Sequence, residues 1–218
     1  MQIRLFVIGA TGATGLAVLL RALRHEDIKV TAFIRDELKL TEDIKGKVQA
    51  ITGDIMDVEC LMKAMKDHDA VVSCLGNSGI GSTTVFSEGT VNIIEAMRAN
   101  NIKYLNFCGG AYYLGHRRSF SPLKLVMPVI NDVEKMLQYV KKIDDITWVA
   151  TMPPSITDDD FTGDYKVEVD RMPGPNKVTK HDLADWLVIS VTDQSKMEEY
   201  KHQFVGISSI RLAECILL

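Results

Sequence analysis

The apolar positions of this chain fall into two alternating patterns. Short runs rich in β-branched and aliphatic residues read as strands buried on both faces. They are Ile3–Ile8, Ile28–Ile34, Lys47–Ile51, Ala70–Leu75, Tyr104–Cys108 and Thr147–Met152. Between them apolar residues recur at helical spacing, over Leu16–Leu23, Val58–Met65 behind an Asp57 cap, Thr83–Ala99 and Val126–Val140. Strands alternating with helices through short turns predict a parallel sheet covered on both faces. With right-handed crossovers the fold class is α/β, a doubly wound, mainly parallel sheet of the Rossmann type in a single domain. From Thr157 the rhythm changes. Asp158-Asp159-Asp160 and Met172-Pro173-Gly174-Pro175-Asn176 bracket a predicted hairpin around Tyr165–Val169, and Thr179–Val191 is one last helix. The domain is expected to span residues 1–204, with 155–204 completing the substrate side and 205–218 left as a short unassigned tail.

Composition changes this picture little. A chain of 218 residues with 46% hydrophobic and 25% charged residues is an ordinary globular domain. A net charge of −4 without a long basic run speaks against nucleic acid as a partner. No apolar stretch approaches a membrane span and no leader pattern precedes Ile3, so a cytoplasmic protein without a membrane partner is expected. Cys60, Cys74, Cys108 and Cys215 show no metal-binding spacing and are expected to be reduced thiols.

The chemistry begins where the first strand stops. Gly9-Ala10-Thr11-Gly12-Ala13-Thr14-Gly15 stands between a strand and a helix, the context in which a glycine fingerprint has a mechanism. Gly9 permits a tight turn, Gly12 lets a pyrophosphate approach the backbone, and Gly15 lets helix and sheet pack closely. The N–H groups of Ala13, Thr14 and Gly15 would face the phosphates. The spacing G-x-x-G-x-x-G is a variant used by short-chain dehydrogenases. The remaining strand ends name the rest of the crevice: Arg35-Asp36, Asp54-Ile55, Leu75-Gly76-Asn77, Gly109-Gly110 and Met152-Pro153-Pro154. Arg35 with Lys39 suits the 2′-phosphate of NADP, although Asp36 would repel it if turned inwards.

A standard short-chain dehydrogenase carries Tyr-x-x-x-Lys, and none of the 6 tyrosines here has lysine four residues later. His116-Arg117-Arg118, after Tyr112-Tyr113, reads equally as charge for an anionic substrate or as a solvated loop. His181 reads as structural at a helix start, and His25, His68 and His202 read as surface residues.

These motifs together resemble one known family, the NADPH-dependent flavin reductases, also called biliverdin-IXβ reductases, which are atypical short-chain dehydrogenases. The likeness rests on Gly9–Gly12 with Thr14-Gly15, Ile34-Arg35-Asp36, Gly53-Asp54, Thr83-Thr84-Val85 and Ser87-Glu88-Gly89. It continues through Met152-Pro153-Pro154, Phe161-Thr162-Gly163, Gly174-Pro175 and Lys180-His181-Asp182-Leu183, and covers about residues 1 to 204. The resemblance implies cofactor contacts at Thr11, Arg35, Lys39, Asp54, Leu75, Gly76, Phe86 and Cys108, to which the strand ends add Ile55, Met152 and Pro153. Tyr112, Ser155 and Lys177 are the expected substrate residues. Two positions depart from the family: Gly110 stands where it has a serine proposed as a proton relay, and Ser155 where it has a histidine. The catalytic group is therefore unknown, with Gly110 and Ser155 the positions to test.

The function implied is hydride transfer from NADPH to flavins (FMN, FAD, riboflavin), with biliverdin-IXβ and quinone-like acceptors as further substrates. Flavin is expected as a substrate and not as a bound prosthetic group, and the chain as a monomer. A rival reading is a non-catalytic NADP-sensing regulator resembling the NmrA-like proteins, which also lack the Tyr-x-x-x-Lys pair. A sugar-nucleotide epimerase would need the missing tyrosine.

Overall fold

The computed structural model describes residues 2–76, 83–110, 113–114 and 127–210. The first half alternates as its pattern predicts: β1 (Ile3–Ile8), α1 (Ala13–Ala22), β2 (Ile28–Ile34), β3 (Gln49–Thr52), α2 (Val58–Ala64), β4 (Ala70–Ser73) and α3 (Ser87–Ala99). There follow β5 (Tyr104–Cys108), α4 (Met127–Val140), β6 (Thr147–Met152), β7 (Ser155–Thr157), β8 (Tyr165–Val169), β9 (Lys177–Thr179), α5 (Lys180–Thr192), α6 (Gln194–Tyr200) and β10 (Gln203–Ser209). The main sheet has eight strands in the order β3-β2-β1-β4-β5-β6-β10-β8. Every neighbouring pair is parallel except β10 with β8. The doubly wound α/β architecture is as expected.

Both faces of the sheet are dry, which is why its strands read as continuous apolar runs. On one face Val18 and Leu19 of α1 and Leu183 and Leu187 of α5 pack on Leu5, Val7, Val30 and Val72. On the other, Leu61 of α2, Ile93 and Ile94 of α3 and Met136 and Leu137 of α4 pack on Phe6, Ile8, Val71 and Phe107. Asn106, fully buried on β5, donates to Ser190 Oγ at 2.6 Å and accepts from Thr151 Oγ1 at 2.8 Å, so a polar bridge ties the strands to α5.

Four expectations change. The third strand starts two residues later than its apolar pattern, because Lys47 N–H closes a turn on Ile44 O at 3.0 Å. The hairpin around Tyr165–Val169 does not form: that segment is β8, paired antiparallel with β10, Val169 opposite Val205 and Tyr165 opposite Ser209. The boundary at 204 falls inside β10, which pairs in parallel with β6 and buries Val205 and Ile207, so 205–209 belong to the sheet. Residues 211–218 lie outside the described residues. Finally, Thr179–Val191 is not the last helix, since Asp193 caps α6 through bonds to Ser195 N and Lys196 N.

All three histidines expected at the surface, His25, His68 and His202, are half-buried. His68 Nε2 lies 2.8 Å from Thr31 Oγ1, its ring edge-on to Phe6, and burial lowers its pKa. His202 Nε2 lies 2.9 Å from Ile146 O and its ring faces Trp148.

Candidate functional site

The strand order reverses between β1 and β4, so the crevice outside their carboxyl ends is where a ligand of this fold sits. Gly9 turns the chain there with φ +69°, and a Cβ on it would come within 2.3 Å of the Cys74 carbonyl oxygen. At Gly15 a Cβ would meet Gly9 O at 2.2 Å, so α1 rests directly on the turn. Gly12 is different. Its φ of −76° and ψ of 164° suit any residue, and the nearest atom to an added Cβ is Gly9 O at 3.4 Å. What Gly12 supplies is room.

Gly12 is also the N-cap of α1, with no side-chain cap bond and no acid in the first turn. The first helical bond runs from Leu16 N–H to Gly12 O at 2.8 Å, so the N–H groups of Ala13, Thr14 and Gly15 have no acceptor within the helix. With Thr11 half-buried beside them, they offer the positive end of the dipole to an anion in the crevice.

At the end of β2 the carboxylate of Asp36 is engaged in its own turn. Its Oδ1 accepts from Leu38 N–H at 3.0 Å and caps a 3-10 turn over Glu37–Lys39. Arg35 and Lys39 are exposed, and neither joins an ion pair found among the described residues. After β3, Asp54 Oδ1 accepts from Met56 N–H at 2.9 Å, and Asn92 of α3 holds the Ile55 carbonyl at 2.9 Å. Asp54 is exposed and Ile55 buried.

Among the described residues, an added Cβ at Gly76, after β4, or at Gly110, after β5, meets no atom within 4 Å, whereas at Gly109 it would strike the Met152 sulfur at 2.5 Å. Leu75 and Cys108 are half-buried beside these glycines, and Met152 and Pro153 are buried at the end of β6. The chain then enters a small second sheet in which Ser155 on β7 is the register partner of Lys177 on β9, both exposed. The structure thus gathers most of the expected residues along one edge. Phe86 is buried in the core under α3, and Tyr112, Asn77 and His116–Arg118 lie outside the described residues.

Cys74 follows the last residue of β4 and Cys108 ends the neighbouring β5, both as free thiols. The neighbouring Cys108 thiol and burial push the Cys74 thiol well above its ordinary pKa.

Two carboxylates that organise this edge have other tasks than ligand binding. Asp132 on α4, 2% exposed, accepts from Phe86 N–H at 2.9 Å and from Ser87 N–H and Oγ, and so caps α3 from a different helix. Its sequence context, an acid in a helix, gave no signal of this. Asp182, fully buried, accepts from Thr162 N–H at 2.9 Å, Thr162 Oγ1 at 2.6 Å, Gly163 N–H at 3.1 Å and Ser209 Oγ. The Lys180-His181-Asp182-Leu183 block is therefore a structural knot. Lys180 pairs with Asp158 at 2.9 Å, and Asp182 binds the 162–163 turn to the end of β10.

The family model described as NAD(P)H-binding matches residues 9–194. Several solved structures share the fold. A candidate epimerase from Bacteroides thetaiotaomicron is 21% identical, covering 96% of this chain and 98% of its own, with a TM-score of 0.80. A candidate NADH-flavin reductase from Streptococcus pneumoniae is 18% identical over 95% of this chain and 100% of its own, TM-score 0.76. A short-chain dehydrogenase/reductase from Veillonella parvula in complex with NADP is 13% identical over 96% and 95%, TM-score 0.76. At these identities the likeness is one of fold. Among the described residues no helix is long and apolar enough to cross a membrane.

Proposed function

This chain belongs to the NAD(P)H-binding family, and from that premise we propose that it is an NADPH-dependent reductase of flavins. A bound nicotinamide cofactor would supply the hydride. The residues of this chain fit it: the uncapped end of α1 would take the pyrophosphate, and Arg35 with Lys39 the 2′-phosphate. Asp54 and Ile55 would meet the adenine end, and Leu75, Gly76, Cys108, Met152 and Pro153 the nicotinamide end.

The observation that carries the reading is the lack of any Tyr-x-x-x-Lys pair in the sequence, beside strand ends at Gly76 and Gly110 where an added Cβ meets none of the described residues. An alcohol or ketone dehydrogenase of the short-chain type fixes a proton donor at one oxygen through a Tyr-x-x-x-Lys pair, and the sequence has no such pair. A flavin spreads the charge it receives over its rings and takes its proton from water, so the protein has only to stack donor and acceptor. Orientation of that kind supplies about 7–11 kcal/mol of the barrier. Ser155 and Lys177, side by side on the second sheet, would face the polar part of the acceptor. The protein acts as a monomer on a small molecule, with linear tetrapyrroles and quinone-like dyes as further acceptors.

The test is NADPH oxidation followed near ~340 nm, the nicotinamide band, with FMN, FAD, riboflavin and biliverdin isomers. Acceptor-dependent oxidation above the protein-free rate is expected with the flavins. Tight NADPH binding with no turnover of any acceptor would replace this reading by that of a cofactor-sensing regulator.

A further inference from the structure

We propose that Cys74 and Cys108 form a modification site, a dithiol that closes to a disulfide on oxidation and that a bound dinucleotide keeps open. The pairing follows from the sheet. Strands β4 and β5 are parallel with Ser73 opposite Phe107, so the next residues of each, Cys74 and Cys108, lie side by side on the face covered by α1 and α5. Adjacent strands run about 4.7–4.9 Å apart, within the Cα separation a disulfide spans. Both thiols are free, and they are close enough that the Cys108 thiol raises the pKa of Cys74.

The two thiols are unequal in a way that sets the order of events. Cys74 is buried and held protonated, whereas Cys108 is half-buried at the edge of the crevice. Cys108 is the thiol a small oxidant reaches. With a low-molecular-weight disulfide such as glutathione disulfide, the Cys108 thiolate attacks one sulfur and releases one glutathione thiolate. Cys74 sulfur then attacks Cys108 sulfur, and its proton leaves with the second glutathione. Two protein thiols are oxidised to one disulfide and one glutathione disulfide is reduced to two thiols.

The coupling to the cofactor lies in the backbone. Cys74 N–H donates to Ile8 O at 2.9 Å, and a Cβ at Gly9 would lie 2.3 Å from Cys74 O, so the glycine turn rests on this residue. A bond drawing Cys74 towards Cys108 disturbs the support of the turn that leads to α1. A dinucleotide across the crevice also covers the entry to Cys108. By linkage, whatever oxidation removes from cofactor affinity, the cofactor returns as resistance to oxidation.

The experiment treats the full-length protein with glutathione disulfide, with and without saturating NADP⁺, blocks free thiols and maps the digest by mass. The expected product is a peptide pair joining residues 74 and 108, lighter by about 2 Da than the reduced pair. It should be reversed by dithiothreitol and form about tenfold more slowly with NADP⁺. In Cys74→Ser the glutathione should stay on Cys108. Glutathione adducts without a 74–108 bridge in the unaltered chain would overturn the proposal, as would equal rates with and without NADP⁺. Neither outcome bears on flavin turnover, which is read separately.

Discussion

Helices α1 and α5 lie against each other on one face of the sheet and both begin at its carboxyl edge, yet their N-termini are furnished in opposite ways. The start of α5 is filled by the chain itself. Thr179 Oγ1 accepts from Asp182 N–H at 2.9 Å, and the Asp182 carboxylate lies buried in the first turn. The start of α1 has a glycine at the cap and no acid in its first turn. The helix dipole is the same in both. One positive end is satisfied within the protein and gives stability, and the other is left for an anion from outside. The capping of α3 by Asp132 adds to the contrast, since it closes the helix terminus across the reversal as well.

The largest effect should come from emptying the filled end. Asp182→Ala leaves Thr162 N–H, Thr162 Oγ1, Gly163 N–H and Ser209 Oγ without their acceptor in a buried place. A loss of about 3 kcal/mol or more is expected, because each buried donor left unpaired costs about 1–3 kcal/mol. Urea denaturation should show a lower midpoint at unchanged slope. If stability barely moved, the knot around Asp182 would not be what secures β10 to α5.

Filling the open end is the converse experiment. Gly12→Asp gives α1 the cap that α5 has, at a position whose backbone angles accept any side chain. Stability should hold or rise by a few tenths of a kcal/mol, the usual difference between glycine and aspartate at a cap. NADPH affinity should fall about 100-fold or more, from a like charge some 4 Å away in a partly screened site. Gly12→Asn, of the same shape without the charge, should fall in between. A Gly12→Asp protein that binds NADPH normally would place the pyrophosphate elsewhere.

How much of this contrast can be read from sequence depends on the span of each feature. The β1 turn and α1 are contiguous, so the strand run, Gly9, Gly12, Gly15 and the following helix period all point the same way within one local segment. The cap of α5 is local too, and the position of His181-Asp182 at a helix start indicates it. What the sequence does not display is the partner of each long-range contact. Tyr165–Val169 has a strand pattern, but its partner β10 lies beyond two helices, and nothing near it distinguishes that pairing from a hairpin. In β10 the apolar run is broken by Gly206, which reads as a tail; the glycine is required because a Cβ there would lie 2.2 Å from Arg171 O. Strands β7 and β9, three residues each, are too short to show a period, so the pairing of Ser155 with Lys177 appears only in the folded chain. Asp132 and Asp182 are both acids in helices, and only the second stands where a cap pattern announces it.

In the proposed cofactor site the exposed Arg35 and Lys39 at the end of β2 take the 2′-phosphate, and removing one should have a smaller effect than adding an acid to α1. Charge-assisted bonds are worth about 1.5–3 kcal/mol each, so Arg35→Ala should weaken NADPH by roughly 10- to 100-fold. NADH, without the 2′-phosphate, should lose far less, and the difference between the two should shrink as salt screens the site. Isothermal titration of both cofactors against both proteins gives the comparison. Equal losses would make Arg35 a structural residue and leave the preference to Lys39.

The smallest effect expected is at the cap of α5, where stability and cofactor affinity should separate. Thr179 is fully buried, its N–H donates to Ser209 Oγ at 3.1 Å, and its side-chain oxygen accepts from Asp182 N–H. Thr179→Ala keeps the backbone bond and removes the cap, which typically costs about 1 kcal/mol. For a chain of this size that lowers Tm by about 2–4 °C. Thr179→Ser restores the oxygen and should recover most of the loss, since what remains is one methyl group. NADPH affinity should stay within about twofold in both variants, because no phosphate is needed where the chain supplies its own acceptor. A fall in affinity that tracked the loss of the cap would instead make the α5 terminus part of the cofactor site, and the two helix ends would then differ in degree and not in kind.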